Sequence, residues 1–252
     1  MDNCFLIDLS GDERHGYVVG GYLPPGDPAH STLIDIGFNR QAHAWRDDDA
    51  HYHAESEEYY LVIRGRLDLQ VVGQAVSVPA GHLLGVRAGT PHRMVGGQGP
   101  IESLAVRVPS NTRDKVVVQS GQKCPNDAWF LLDLRAPHSD YQAGACLPAT
   151  SPAYSPLWDF WSGWQQSLNT WRGQEHHYHT HAEEYYVVLQ GRLDLEVDGQ
   201  VVSVQPDALL GVKPGVVHGV IGGREPIDTF FIRVPGGRGD KTVVGSRRFL
   251  TD

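Results

Sequence analysis

Histidine and glutamate recur in one short pattern at two places in this chain of 252 residues. Residues 51–74 read HYHAESEEYYLVIRGRLDLQVVGQ, and residues 177–200 read HYHTHAEEYYVVLQGRLDLEVDGQ. Each copy supplies two histidines spaced as i and i+2, followed by acidic residues. Imidazole nitrogens and carboxylate oxygens are common ligands of first-row transition metals, so the pattern indicates metal coordination.

The spacing of these residues favours strands that face a common interior. On a β-strand, residues i and i+2 point to the same side, so His51 and His53 present two imidazoles together. Glu58 follows His53 at an odd separation and would point to the opposite side of an unbroken strand. We therefore expect a turn or bulge over residues 54–57. A third histidine, His92, follows a later turn and completes the candidate set.

The same candidates recur in the second half of the chain at a fixed offset. His177 follows His51 by 126 residues, and the same offset relates His92 to His218. With small shifts in the offset, the similarity extends to the beginning of each half. Two copies are too few for a solenoid, which needs at least three stacked units, so the duplication indicates two tandem domains.

We predict that the first domain covers residues 1–120 and that the second covers residues 121–252. The polar stretch 119–127, with its glycine and proline, is the predicted linker between them.

Each copy shows the pattern of short strands. Leu67, Leu69 and Val71 alternate with polar residues, which is the period of a half-buried strand. Glycines recur between such segments at turn positions, and neither copy contains an extended amphipathic helical pattern. This combination is typical of an all-β sandwich or barrel.

These motifs resemble those of the cupin superfamily. The first cupin motif, H-x-H-x(3,4)-E-x(6)-G, matches residues 51–65 and again residues 177–191. The second motif, G-x(5)-P-x-G-x-x-H, matches residues 81–92 and 207–218, with departures at turn positions such as Arg87, where proline is usual. The resemblance covers nearly the whole chain.

The resemblance implies two tandem cupin barrels, which are jelly rolls also described as double-stranded β-helices. It also implies that each barrel binds a divalent transition metal, so two ions per chain, drawn from Fe, Mn, Ni, Co or Zn. A donor set without thiolate agrees with those metals. The spacing to the motif glycine selects the second glutamate of each doublet. The implied metal ligands are His51, His53, Glu58 and His92 in the first copy and His177, His179, Glu184 and His218 in the second.

Two repeated arginines have competing explanations. Arg107 and Arg233 lie among apolar neighbours and could bind a substrate carboxylate. We expect instead that they form outward-facing ion pairs, with the repeated Asp114 and Asp240 as partners.

Four further residues lie close to the candidate ligands. Tyr60 and Tyr186 share the ligand side of their strands, where core packing is the expected use. His176 and His181 adjoin the second set but have no counterpart in the first, and we expect mouth or surface positions for them.

A metal-dependent enzyme acting on a small oxygenated organic substrate is the predicted function, with a dioxygenase favoured. A metal-dependent isomerase, cyclase or decarboxylase, or a non-catalytic metal- or ligand-binding protein, remains as the alternative. In oxalate decarboxylase a substrate-binding arginine precedes the first histidine by three residues, but Asp48 and Gln174 stand at those positions here, which disfavours oxalate. No catalytic side chain and no organic cofactor is assigned.

The composition of the chain restricts which classes of binding partner and which cellular compartment we expect. A formal net charge of −9 disfavours nucleic acid and anionic membranes, which bind basic surfaces. The N-terminus lacks the pattern of a signal peptide, and no apolar stretch is long enough for a membrane span. Three cysteines without C-x-x-C spacing suggest free thiols. We expect a cytoplasmic protein whose partner is a small molecule, with homo-oligomer formation left open.

Overall fold

The structure is a computed structural model of the whole chain. It describes residues 3–11, 16–42, 46, 49–119, 121–138, 140–168 and 175–245. These residues form strands and turns and contain no α-helix. Within them, no helix is therefore long and apolar enough to span a membrane.

The chain divides into two compact units, each built on one antiparallel sheet of nine strands. The first unit runs from Gly11 to Pro137. Its strands are β2 (Tyr17–Val19), β3 (Asp35–Gln41), β4 (His51–His53), β5 (Glu57–Val71), β6 (Gln74–Pro79), β7 (His82–Val86), β8 (His92–Val108), β9 (Lys115–Val117) and β10 (Trp129–Asp133).

The second unit joins the chain up to Ser10 to the chain from His138 onwards. Its strands are β1 (Cys4–Asp8), β11 (Ala143–Gly144), β12 (Asp159–Gln166), β13 (His176–His179), β14 (Glu183–Val197), β15 (Gln200–Val204), β16 (Ala208–Val212), β17 (His218–Val234) and β18 (Lys241–Gly245).

The two sheets have the same topology. The first has the order β10-β7-β5-β8-β3-β2, with β4 pairing β8 and β9 and with β6 pairing β5. The second has the order β1-β16-β14-β17-β12-β11, with β13 pairing β17 and β18 and with β15 pairing β14. The predicted all-β fold of two barrels, one for each copy of the repeat, is confirmed.

The units differ from the predicted division at residue 120. Strand β10 follows that residue but pairs with β7 in the first unit, from Trp129 opposite Val86 to Asp133 opposite His82. Strand β1 opens the chain but pairs with β16 in the second unit. The stretch 119–127, predicted as a linker, precedes β10 within the first unit. The repeated segments that begin the two halves are thus exchanged between sheets, which local sequence patterns cannot show.

Apolar residues on alternating positions fill the interior of each unit. In the first unit Leu67, Leu69 and Val71 are fully buried, as their alternation predicts. The pairing of the long strand β5 with β8 shifts register around Gly65, which has a φ of +74°. A Cβ atom there would lie 2.6 Å from the carbonyl oxygens of Gln98 and Pro100, so the motif glycine is required by both conformation and space.

Candidate metal centres

The four candidate ligands of the first copy meet inside the first unit. One donor atom from each of His51, His53, Glu58 and His92 lies within 4.8 Å of the others, and all four side chains are buried. Strand β4 supplies the first two, β5 supplies Glu58 and β8 begins with His92, which pairs with His51 across the sheet. The chain leaves the strand over residues 54–56, and this break turns Glu58 to the histidine side, as predicted.

The distances between the donor atoms of this centre suit a cation. Nδ1 of His92 lies 2.9 Å from the carbonyl oxygen of Thr90, which can only accept, so Nδ1 carries a proton. Nε2 of His92 lies 2.8 Å from Oε2 of Glu58, and Nε2 of His53 lies 3.2 Å from the same oxygen. Two imidazole nitrogens and a carboxylate oxygen at these distances need a positive charge among them, carried either by a proton or by a bound cation. The donor set therefore fits a bound divalent metal.

The electrostatics keep Glu58 in its ligand form. Burial alone would raise the pKa of the Glu58 carboxyl, but the hydrogen bonds and charges of His53 and His92 outweigh burial and hold that pKa well below its usual range. Glu58 is therefore a carboxylate at neutral pH and is unsuited to donating a proton.

A second carboxylate orients one of the imidazoles. Oδ1 of Asp114 accepts a 2.9 Å hydrogen bond from Nδ1 of His53, which leaves the Nε2 lone pair of His53 directed at the centre. Oδ2 of Asp114 accepts the backbone N–H of Ser56 at 2.9 Å. Asp114 thus fixes both the histidine and the turn that precedes Glu58.

The second unit repeats the arrangement with different distances. Donor atoms of His177, Glu184 and His218 lie within 4.8 Å of one another. Nε2 of His218 lies 2.7 Å from Oε2 of Glu184, and Nε2 of His179 lies 2.9 Å from Oε1. Burial lowers the pKa of His177 to about 4 in spite of the nearby Glu184, so this imidazole is neutral near pH 7 and its lone pair is available.

The groups around the second centre are not identical to those around the first. Nδ1 of His179 lies 3.6 Å from Oδ2 of Asp240, which exceeds the 2.9 Å of the corresponding contact in the first unit. The hydroxyl of Tyr186 donates a 3.0 Å hydrogen bond to Oε2 of Glu184. Tyr186 therefore does more than the predicted core packing, because it also supports a candidate ligand.

The first glutamate of each doublet points away from its centre. Oε1 of Glu57 lies 3.0 Å from Nη1 of Arg87, and Oε1 of Glu183 lies 2.8 Å from Nζ of Lys213. The basic residues in these two ion pairs, Arg87 and Lys213, occupy the positions where the cupin motif usually has proline.

The expectation of an outward ion pair between Arg107 and Asp114 is wrong. Arg107 is 3% exposed, and its Nη2 lies 2.6 Å from Oδ2 of the fully buried Asp35. Nη2 also donates to the hydroxyl of Tyr22 at 2.7 Å. The second unit has the same kind of pair, in which Nη2 of Arg233 lies 2.6 Å from Oδ2 of Asp159. The sequence held a signal for these partners, since both aspartates occupy equivalent places in the repeat.

A cavity of about 350 Å³ opens onto the first centre. Its wall includes the candidate ligands His51, His53 and Glu58, and next to them lie Tyr17 and Arg107. Burial, reinforced by the negative charge of Glu58, raises the pKa of Tyr17, so its hydroxyl keeps a proton to donate. The remaining lining residues include Tyr22, Asn39, Tyr60, Ala105, Thr112 and Lys115. The cavity therefore combines a candidate metal centre with hydroxyl and cationic groups.

Large aromatic side chains occupy the corresponding space in the second unit. Ala105 on β8 and Gly37 on β3 are register partners that line the first cavity. Their counterparts, Phe231 and Trp161, are register partners on β17 and β12. Both pack against the apolar core of the second unit, and the ring of Phe231 lies 5.2 Å from that of Tyr186. The side chains at these equivalent positions therefore differ greatly in size between the two units.

Several residues considered in the sequence lie elsewhere. Asp48 and Gln174 are outside the described residues. His176 is 6% exposed, so the expectation of a mouth or surface position does not hold for it, whereas His181 is exposed. Cys4, Cys124 and Cys146 are free thiols, as predicted.

Comparison with protein families identifies the class to which this architecture belongs. The model of the cupin domain matches residues 42–107 and 168–232, which together make up more than half of the chain. The chain is a member of the cupin family, with two cupin domains. No curated protein sequence matches it.

Solved structures share the fold at low sequence identity. A salicylate 1,2-dioxygenase from Pseudaminobacter salicylatoxidans is 12% identical, with coverage of 93% of this chain and 85% of that chain and a TM-score of 0.61. A bacterial pirin from Escherichia coli, in complex with nickel(II), is 12% identical, with coverage of 93% and 100% and a TM-score of 0.57. A Bacillus subtilis oxalate decarboxylase is 14% identical, with coverage of 95% and 79% and a TM-score of 0.51. At these identities the likeness shows the fold alone.

Proposed function

We propose that this bicupin is a metal-dependent oxygenase of a small, oxygen-rich anionic substrate, with its reaction centre in the first unit. The observation that carries this proposal is the cavity of about 350 Å³, whose wall joins His51, His53 and Glu58 to Arg107 and Tyr17. That volume suits a small organic molecule. Both units would bind a divalent transition metal through their three histidines and one glutamate.

The charges around the cavity favour an anion. Lys115 is exposed at the cavity and adds a positive charge beside the metal centre. Arg107 forms an ion pair with Asp35 and donates a hydrogen bond to Tyr22, so its guanidinium is a fixed part of the cavity wall. The protonated Tyr17 can donate a hydrogen bond to a substrate oxygen. An enolate, a diketone or a hydroxy acid presents oxygens that match these donors.

The metal, when bound, supplies Lewis-acid stabilisation of the substrate's negative charge. The protein side chains orient the substrate: Tyr17 donates a hydrogen bond, and Lys115 attracts the anion to the cavity. Glu58 remains ionised and acts as a ligand, because its pKa lies well below the usual range. The three histidines and the glutamate would hold the ion at the wall of the cavity, where a substrate could also reach it, as in a reactive rather than a closed structural site.

The ligand set alone is compatible with more than one reaction class. Among the structures that share the fold, one is a salicylate 1,2-dioxygenase and another an oxalate decarboxylase. Oxalate is disfavoured by Asp48, which stands where oxalate decarboxylase has its substrate-binding arginine. An isomerase, cyclase or another decarboxylase would use the same ligands without oxygen and forms the second candidate, and non-catalytic binding of a ligand forms the third.

The test is turnover by the Fe(II)-loaded protein with diketones, flavonols, hydroxybenzoates and hydroxy-keto acids, in air and under nitrogen. We expect turnover of at least one class in air, with stoichiometric oxygen consumption, and none under nitrogen. Turnover that continues unchanged without oxygen would replace the oxygenase with an isomerase or lyase. Full metal occupancy without any turnover in this panel would favour a binding protein.

A further inference from the structure

We infer that the second unit carries an additional divalent-cation site, in which His176 and Glu196 are direct ligands and Asp198 adds negative charge. The three residues line one cavity of about 600 Å³. None of them belongs to the 3-His/1-Glu centre of that unit. This site is independent of the proposed reaction in the first unit.

His176 is the feature that points to a ligand. Its side chain is 7% exposed, and neither of its ring nitrogens has a hydrogen-bond partner among the described residues. Leaving buried polar nitrogens unsatisfied is costly, so this imidazole needs a partner that the described residues do not supply.

The distance between His176 and Glu196 suits a shared cation better than a direct bond. Nε2 of His176 lies 3.7 Å from Oε2 of Glu196, which is too long for a hydrogen bond. Two ligand atoms that bind one zinc ion at about 2.0–2.2 Å lie roughly 3.0–3.6 Å from each other. A small movement of either side chain would therefore allow both to coordinate one ion.

The sheet leaves open space between His176 and Glu196. Glu196 on β14 is the register partner of Gly219 on β17. The imidazole of His176 lies against Gly219, where an added Cβ would be 3.4 Å from the ring. Because Gly219 has no side chain, the histidine and the glutamate on either side of it can approach each other.

Asp198 adds a second carboxylate at the same cavity. Its Oδ1 accepts the backbone N–H of Val217 at 3.1 Å, which fixes the side chain at the cavity wall. One imidazole and one carboxylate as ligands, with a second carboxylate at the cavity wall, suit zinc, cobalt(II) or manganese(II).

The first unit serves as an internal comparison, since it lacks every part of this site. The residues at the corresponding positions are Ala50, Gln70, Val72 and Arg93 in place of His176, Glu196, Asp198 and Gly219. Nε of Arg93 donates to Oε1 of Gln70 at 2.9 Å, so the position of the opening is filled by a side-chain pair. All four of these positions differ between the two units. The four candidate ligands of each 3-His/1-Glu centre, by contrast, have the same residue types in both units.

The test is equilibrium dialysis of the full chain against Zn²⁺ at increasing free concentration, with bound zinc measured by elemental analysis. We expect His176→Gln and Glu196→Gln each to bind one equivalent less than the unaltered protein, and Asp198→Asn to bind that equivalent more weakly. Asp228→Asn, a matched loss of a carboxylate outside the cavity, should bind the full complement.

Glu196→Gln is the decisive variant, because it lies away from the neighbouring ligand His177. Cobalt(II) absorption provides a second readout of the same loss. Equal zinc binding by Glu196→Gln and the unaltered protein, with the fold intact by circular dichroism, would overturn the site. The test depends on a difference of one zinc equivalent per chain between each variant and the unaltered protein. Its result is therefore independent of how fully the two 3-His/1-Glu centres are occupied.

Discussion

Asp114 and His53 lie 61 residues apart in the chain, yet Oδ1 of the aspartate accepts a 2.9 Å hydrogen bond from Nδ1 of the histidine. Asp240 and His179 form the matching pair in the second unit, at 3.6 Å. The first contact fixes the tautomer and the ring orientation of a candidate ligand, and the second is too long to do so equally well. The supporting carboxylates therefore distinguish two centres whose ligands have the same identity.

We expect Asp114→Asn to weaken metal binding at the first centre by roughly 10- to 100-fold, the usual effect of losing a carboxylate that orients a histidine ligand. The amide can still accept the N–H of Ser56, so the turn should persist. Asp240→Asn is the matched control and should weaken its own centre less. Competition titration with a metal chelator measures both constants. A larger effect at Asp240 would contradict this interpretation of the distances.

Glu58→Gln should remove one equivalent of metal, whereas Glu57→Gln should remove none. Glu58 faces His53 and His92, while Glu57 forms an ion pair with Arg87 on the other side of the strand. Elemental analysis after reconstitution with Fe(II) or Mn(II) distinguishes the two variants. Equal loss of metal in both, with unchanged circular dichroism, would show that the assignment of the glutamate is wrong.

Asp35→Asn should reduce the free energy of unfolding by about 3 kcal/mol, because it leaves the buried guanidinium of Arg107 without its counter-charge. Asp68→Asn is the control for a partly exposed pair with Arg66 and should cost less than about 1 kcal/mol. Urea denaturation followed by tryptophan fluorescence compares the two. A cost at Asp35 no larger than that at Asp68 would remove the structural role given to the buried pair.

The sequence predicted those features that depend on local periodicity. Alternation in a strand placed His51 and His53 on one side, and the odd spacing to Glu58 required the break that the structure has at residues 54–56. Likewise, the alternation of Leu67, Leu69 and Val71 identified a buried face.

Features that depend on contacts distant in the chain could not be predicted in the same way. The exchange of β1 and β10 between units is a choice between two equivalent sheets, and the two segments resemble each other too closely for local patterns to decide it. The partner of Arg107 was missed because proximity in sequence favoured Asp114, whereas β3 brings Asp35 beside it. The repeat itself contained that signal.

The difference in side-chain size beside the two centres was also present in the sequence, but the strand register was needed to interpret it. Ala105 and Phe231 occupy one position of the repeat, as do Gly37 and Trp161. Only the pairing of β3 with β8 and of β12 with β17 shows that both positions face the candidate centres.

Turnover and metal content of Ala105→Phe show whether the substrate reacts at the first centre. This change places in the first unit the aromatic ring that the second unit has at Phe231. We predict that it fills the cavity and lowers turnover of any identified substrate at least about 100-fold, equivalent to about 2.7 kcal/mol, while the metal content is unchanged. Phe231→Ala, the reverse change, should retain turnover within a few-fold. Turnover that survives Ala105→Phe and is lost in Phe231→Ala would instead place the reaction at the second centre.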